Sequence, residues 1–213
     1  MKSEIPSRLI AIAGGSGAGK SWLAGRLQRA LGTKAARLSL DDFYRDRSHL
    51  PPGRREQINY DHPRAIDWPC LERVLGDCRA GRRARVPCYD FATHTRSSRR
   101  RQWQPRALIL VEGLWLLHRR AVRGQFDLKI YVGCPENIRM GRRLARDVAE
   151  RGRNLASVRR QFREKVAPMH QRFVAPQALL ADIVLTRPPG RGQVRQLAAI
   201  LRTLANERTP TYA

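Results

Sequence analysis

The sequence predicts an α/β fold, a five-stranded parallel sheet with helices on both faces. Three observations carry that expectation. Short apolar runs alternate along the chain with stretches of helical periodicity, the pattern of strands joined by crossover helices. A glycine-rich segment, GGSGAGKS at Gly14–Ser21, sits between the first apolar run and the first helical stretch. Two further apolar runs end in carboxylates, Asp41-Asp42 and Glu112. In an open parallel sheet that edge is where ligands bind.

Leu9–Ala13 opens the sheet as an unbroken apolar run, as suits a strand covered on both faces. The other expected strands are Arg37–Leu40, Leu108–Val111, Leu128–Val132 and Ile183–Leu185. Lys20–Leu31 is expected to be helical because Leu23, Leu27 and Leu31 recur at spacings of four and form one stripe. Further helices are expected over Asp67–Ala80, Pro135–Arg151, Leu155–His170 and Gln193–Asn206, with Pro135 suited to a helix start. Two segments break the alternation. Residues 45–66 are polar and proline-bearing and read as a surface loop. Residues 82–106 read as a small β-hairpin insert over the carboxyl edge of the sheet. The length suits one domain spanning residues 1–213.

Every fixed position of the phosphate-binding pattern G-x-x-x-x-G-K-[ST] is met at Gly14, Gly15, Ser16, Gly17, Ala18, Gly19, Lys20 and Ser21. The glycines let successive N–H groups turn toward one anion at a helix N-terminus. Lys20 then reaches the β- and γ-phosphates, and the Ser21 hydroxyl faces Mg²⁺. With Trp22 next in line, this segment is the expected ATP contact, and the fold expected is that of a P-loop NTPase. Glu112, delivered by Leu108–Val111, is expected to hold Mg²⁺ opposite Ser21. Asp41 and Asp42 are adjacent candidates for a carboxylate that accepts the proton of an acceptor hydroxyl, and strand geometry alone does not choose between them.

Composition bounds the rest. The net charge is +24, and arginine supplies 37 of the 42 cationic side chains, concentrated over Arg96–Arg106 and Arg139–Arg172. Such a surface handles phosphate, with nucleic acid as one conceivable partner. Aromatics make up only 7% of the residues, too few for an array that stacks single-stranded bases, so nucleic acid is not the expected partner. The four cysteines, Cys70, Cys78, Cys88 and Cys134, form no C-x-x-C pair, which fits a reducing cytoplasm. No secretory-type apolar stretch opens the sequence and no run of about 18 apolar residues occurs, so no membrane role is expected.

Beyond the phosphate loop, LSLDDFY from Leu38, NYDHPRAID from Asn59, VPCYDFATHTR from Val86, VEG from Val111, RRLARDVAERGRNL from Arg142, FREKVAPMHQRFVAP from Phe162 and ADIVL from Ala181 follow in order. With these segments the chain resembles the uridine/cytidine kinases of the phosphoribulokinase-like group. The resemblance spans residues 9–185 and implies ATP-dependent phosphorylation of the 5′-hydroxyl of uridine or cytidine, with Mg²⁺. It implies that the base is Asp41 and that Lys20, Arg146 and Arg151 join it in catalysis. It implies a nucleoside pocket of Asp61, Tyr89, Phe91, His94, Arg143, Arg146, Arg153 and Gln161. Residues 139–170 resemble the family's helical lid, whose Arg142, Arg143, Arg146, Arg151 and Arg153 suit charge spread over phosphoryl oxygens. A homo-oligomer, a tetramer, is implied as well. Trp22, Leu40, Tyr60 and Ile66 depart from the family pattern. The competing expectations are a kinase of another small alcohol (another nucleoside, pantothenate or a sugar phosphate) and a nucleic-acid-binding ATPase.

Overall fold

A computed structural model describes residues 6–206 of the chain. Strand β1 (Arg8–Gly14) lies at the centre of a five-stranded, wholly parallel sheet. The other strands are β2 (Ala35–Ser39), β7 (Leu108–Gly113), β8 (Leu128–Val132) and β9 (Ile183–Leu185), in the order β2-β7-β1-β8-β9. Alternate residues of β1 feed two cores. Leu9, Ala11 and Ala13 face a layer built around helix α3 (Trp68–Arg79), while Ile10 and Ile12 face helix α1 (Lys20–Leu31) and helix α8 (Arg191–Asn206). Both faces are dry, which is why these strands read as continuous apolar runs. Leu23, Leu27 and Leu31 of α1 are all buried on this side.

The remaining elements sit mainly at the carboxyl edge. Residues 45–66, expected as plain loop, contain the short helix α2 (Pro52–Glu56) and a 3₁₀ turn at Pro63–Ala65. The insert is the expected hairpin, interrupted into two nested two-stranded ladders. An outer pair joins β3 (Ala84–Val86) to β6 (Arg101–Trp103), and an inner pair joins β4 (Tyr89–Asp90) to β5 (Thr95–Arg96). After α4 (Arg120–Arg123) and β8 come helix α5 (Glu136–Arg151) and helix α6 (Leu155–Gln161). The helix expected to end at His170 continues to Val174, through π-helical turns at Phe162–Val166 and His170–Val174 around α7 (Ala167–Met169). The buried Gln177 ties this segment to the sheet: its Nε2 donates to the Leu114 and Phe173 carbonyls at 2.8 and 2.9 Å, and its Oε1 accepts from the Leu117 N–H at 2.8 Å.

Register decides what reaches the edge together. Ile12 pairs with Glu112, Ala13 with Gly113, Gly14 with Val132, and Ser39 with Glu112. The start of the phosphate loop, Glu112 and the end of β2 therefore stand at one level. Strand β2 stops at Ser39, one residue before the expected end, because the Ser39 hydroxyl accepts the Asp41 N–H at 3.2 Å and caps a 3₁₀ turn over Leu40–Phe43.

Candidate active site

The loop between β1 and α1 takes conformations only glycine adopts without strain: Gly17 has φ 77° and Gly19, at the helix N-cap, has φ 100°. A side chain at Gly17 would also collide with the Arg139 carbonyl of α5. The buried Lys20 ammonium donates to the Gly15 carbonyl at 2.8 Å, which holds it across the loop. Burial lowers its pKa, while the Glu112 and Asp41 carboxylates oppose that shift. The Ser21 hydroxyl donates to Glu112 Oε2 at 3.0 Å. These two oxygens, with Glu112 almost fully buried, make a hard-donor corner beside the loop that suits a divalent cation completed by phosphate and water oxygens.

The two aspartates left open by the sequence are separated by the 3₁₀ turn. Asp41 lines the cleft beside Lys20, Ser21 and Glu112. Asp42 does not: its carboxylate meets Arg101 at 3.2 Å, and burial pushes its carboxyl up against that pull. Leu40, which departs from the family pattern, is wholly buried against Gly113, where an added Cβ would stand 2.7 Å from Leu40 Cδ2.

The same cleft, about 1130 Å³, continues to the inserted ladders. Its wall is aromatic. Tyr44 lies 5.1 Å from Tyr89, Tyr89 lies 5.2 Å from Phe91, and Tyr60 stacks on His94 at 4.2 Å and 9°. His94 is the one described non-glycine residue with positive φ, 56°, and the Tyr89 hydroxyl is 3.3 Å from its Nδ1. A left-handed histidine held by two tyrosines is local strain at a ligand-facing loop. Tyr60, another departure, is the ring that stacks on it. Burial, then the Asp41 and Asp61 carboxylates, raises the Tyr44 pKa well above the usual range, so its hydroxyl keeps its proton and donates to the Tyr60 carbonyl at 3.1 Å. Ile66 is core, bridged to Tyr44. Arg96 pins the insert to the sheet: it meets Asp67, the N-cap of α3, at 2.9 Å and the Phe43 carbonyl at 3.1 Å.

Opposite this wall stands α5–α6. Asp61 is buried and accepts from Arg143 Nη1 at 3.3 Å and Gln161 Nε2 at 3.5 Å. Arg143 also reaches Ser16 Oγ at 3.3 Å and Gln161 Oε1 at 3.3 Å, so one guanidinium spans the phosphate loop and Asp61. Arg153 donates to Gln161 Oε1 at 2.7 Å. Arg142, Arg143, Arg146 and Arg153 line the cleft, whereas the side chain of Arg151 lies outside the described residues.

Asp147, not singled out by the sequence, organises these arginines. Its carboxylate is wholly buried and takes Arg143 Nε at 3.5 Å, Arg146 Nη2 at 2.9 Å and Arg153 Nη1 at 3.4 Å. It stands in the RRLARDVAERGRNL segment that carries the resemblance, but with no role assigned to it, since an acid four residues after Arg143 in a cationic helix reads as ordinary surface pairing. Trp22 is half-exposed at the cleft mouth under Arg26, 5.4 Å from its ring.

A phosphate loop, a cation corner and a cleft carboxylate on a parallel sheet define a P-loop phosphotransferase. The family described as Phosphoribulokinase / Uridine kinase matches residues 9–192, and the chain belongs to it. A uridine kinase of Staphylococcus haemolyticus (strain JCSC1435) is 42% identical over 178 residues, covering 83% of this chain and 86% of its own. One from Staphylococcus aureus (strain JH9) is 41% identical over the same shares. Phosphoribulokinase from Rhodobacter spheroides shares the fold, with TM-score 0.62 at 21% identity over 85% of this chain and 70% of that one. No described helix is long and apolar enough to cross a membrane.

Proposed function

We propose that this chain transfers the γ-phosphoryl group of ATP to the 5′-hydroxyl of uridine or cytidine. One observation carries the reading: a single cleft holds the phosphate loop, Asp41, and a pocket of one buried carboxylate and an aromatic wall. Asp41 lines that cleft together with Lys20 of the phosphate loop and with Tyr44 and Tyr60 of the aromatic wall. The uridine kinases that share about two-fifths of the sequence support the acceptor class.

In this reading the phosphate-loop N–H groups and Lys20 cradle the β- and γ-phosphates. Lys20 exchanges the Gly15 carbonyl for phosphate oxygens. Ser21 and Glu112 would hold Mg²⁺, which when bound neutralises charge on the phosphates. Asp61 accepts the ribose hydroxyls, since its present bonds at 3.3 and 3.5 Å are long enough to yield to closer donors. The base packs on Phe91 and meets Tyr89 and His94 at its edge. Asp41 accepts the 5′-hydroxyl proton as that oxygen attacks phosphorus. Arg143, Arg146 and Arg153 steady the transferring phosphoryl oxygens, where guanidinium groups match the spread charge. Closure of α5–α6 as a lid excludes water and suppresses ATP hydrolysis.

The test is MgATP consumption with uridine, cytidine, adenosine, pantothenate and ribulose 5-phosphate, with products identified by mass. Turnover confined to the pyrimidine nucleosides, giving 5′-monophosphates, is expected. Silence on both, with turnover on another acceptor, overturns the assignment.

A further inference from the structure

A second cavity, about 640 Å³, shares no lining residue with the active-site cleft. Five arginines line it, Arg45, Arg47, Arg64, Arg119 and Arg172, and Arg45 Nε donates to the Ile66 carbonyl at 3.2 Å. His62, His118, Trp68 and Phe173 complete the polar and aromatic lining, and no carboxylate lines it. These residues converge from separate parts of the chain: the segment after β2, the turn before α3, the first turn of α3, the segment after β7 and the second π-helical turn. The cavity is therefore not the by-product of one arginine-rich run.

Acids are scarce in this chain, and only some of the described arginines meet one, among them Arg8 and Arg79 on Asp127, Arg82 on Asp77 and Arg96 on Asp67. Arg47, Arg64 and Arg172 have no carboxylate partner among the described residues, and Arg119 reaches Glu72 only at 3.8 Å. Two of the guanidinium groups lie over rings instead, Arg119 above Trp68 at 5.6 Å and Arg172 above Phe173 at 5.1 Å. Phe173 is wedged edge-on between His62 at 4.9 Å and His118 at 5.4 Å, which gives the cavity a firm floor. His62 Nδ1 accepts the Arg64 N–H at 3.0 Å, so its neutral ring carries the proton on Nε2 and presents a donor there. The first cause lowering both histidines is burial, followed by the neighbouring guanidinium groups.

We propose that this cavity binds a small polyphosphate anion, a compound carrying at least two adjacent phosphate groups. Guanidinium forks match phosphate oxygens in pairs, and five of them from several directions demand more oxygens than one carboxylate or one phosphate offers. The convergence of these arginines on one open pocket favours a compact anion over a nucleic acid strand, whose phosphates need cations spread along a track. The chemistry is shared by an inorganic phosphate chain and by the phosphates of a nucleotide. The site touches the active-site framework at two points. His62 follows Asp61 in sequence, and the helical segment bearing Phe173 begins at His170, which packs against Gly15 of the phosphate loop.

The experiment is calorimetric titration of the whole chain with tripolyphosphate at 150 mM salt. Wild type is expected to bind two per chain. Lys20→Ala, which cripples the phosphate loop, is expected to keep one. Adding Arg64→Glu and Arg172→Glu to that variant is expected to weaken the remaining site at least tenfold. The same pair in the wild-type background leaves turnover without added polyphosphate unchanged, which shows the fold intact. UTP binding the Lys20→Ala chain more tightly than tripolyphosphate identifies a nucleotide source, and equal binding identifies the phosphate chain alone. A single site that Lys20→Ala abolishes overturns the proposal. So does binding indifferent to Arg64→Glu and Arg172→Glu, or a short RNA that outcompetes tripolyphosphate at this face.

Discussion

Asp147→Asn removes the charge of the carboxylate that gathers Arg143, Arg146 and Arg153 while keeping its shape. Three guanidinium groups within 3.5 Å of that carboxylate then face one another without their counter-charge. Breaking a buried pair by removing one partner costs about 3–5 kcal/mol. Arg146 and Arg153 are about one-third exposed, so solvent relieves part of this and the lower end, about 3 kcal/mol, applies. For a chain of this size that lowers Tm by about 6–12 °C. Arg143 is also the link between Ser16 and Asp61, so its release loosens both substrates' contacts. A misplacement of about 1 Å costs about 100-fold in rate, and kcat is expected to fall by that order. Thermal melting and a uridine-dependent kinase assay measure the two effects. Arg159→Ala, on the exposed face of α6, serves as control and should change neither. An Asp147→Asn chain that melts within about 2 °C of wild type and keeps kcat within about threefold would refute the reasoning.

Three further outcomes are expected. Asp41→Asn should cut kcat by several orders of magnitude with ATP affinity near normal, whereas Asp42→Asn, which only breaks the bond to Arg101, should cost less than about tenfold; the reverse ranking assigns the base to the wrong residue. Glu112→Gln should raise the Mg²⁺ concentration for half-maximal rate at least about tenfold and leave the KM for uridine unchanged, as a Mg²⁺ titration at fixed ATP reads. His170 packs on Gly15, where burial first, then Arg139 and Lys20, holds its pKa at about 4, below the ordinary 6.5. The unfolded chain then binds a proton that the folded chain refuses, so stability falls as pH drops from about 6.5 toward 4. His170→Gln should lose less between pH 7.5 and 5 in urea melts, and identical slopes would exclude this role for His170.

The sheet was legible because burial on both faces leaves an unmistakable apolar run. Leu128–Val132 and Ile183–Leu185 begin and end where expected, as does helix Lys20–Leu31. Leu40 was misassigned to a strand for the same reason, since apolar character records burial and not backbone form. The hydroxyl of Ser39 decides that the chain turns there. The choice between Asp41 and Asp42 needed the path of that turn, which sends neighbouring side chains to different partners. Asp147 and Tyr44 stand in the segments that carry the resemblance but receive no role there, because their environment comes from distant segments and nothing local distinguishes a wholly buried acid from an exposed one on a charged helix. The insert's two ladders were too short to read, at two or three residues a strand.

The contact between Leu40 and Gly113 works as a spacer. One residue precedes Asp41 and the other follows Glu112, so this apolar contact adds to the β2–β7 ladder and the Ser39 cap in setting the spacing of the two acids. Trimming Leu40 would unlock one acid relative to the other without touching either, and a bulkier residue at 113 would force them apart. An apolar side chain that takes no part in the chemistry thus helps to set its geometry.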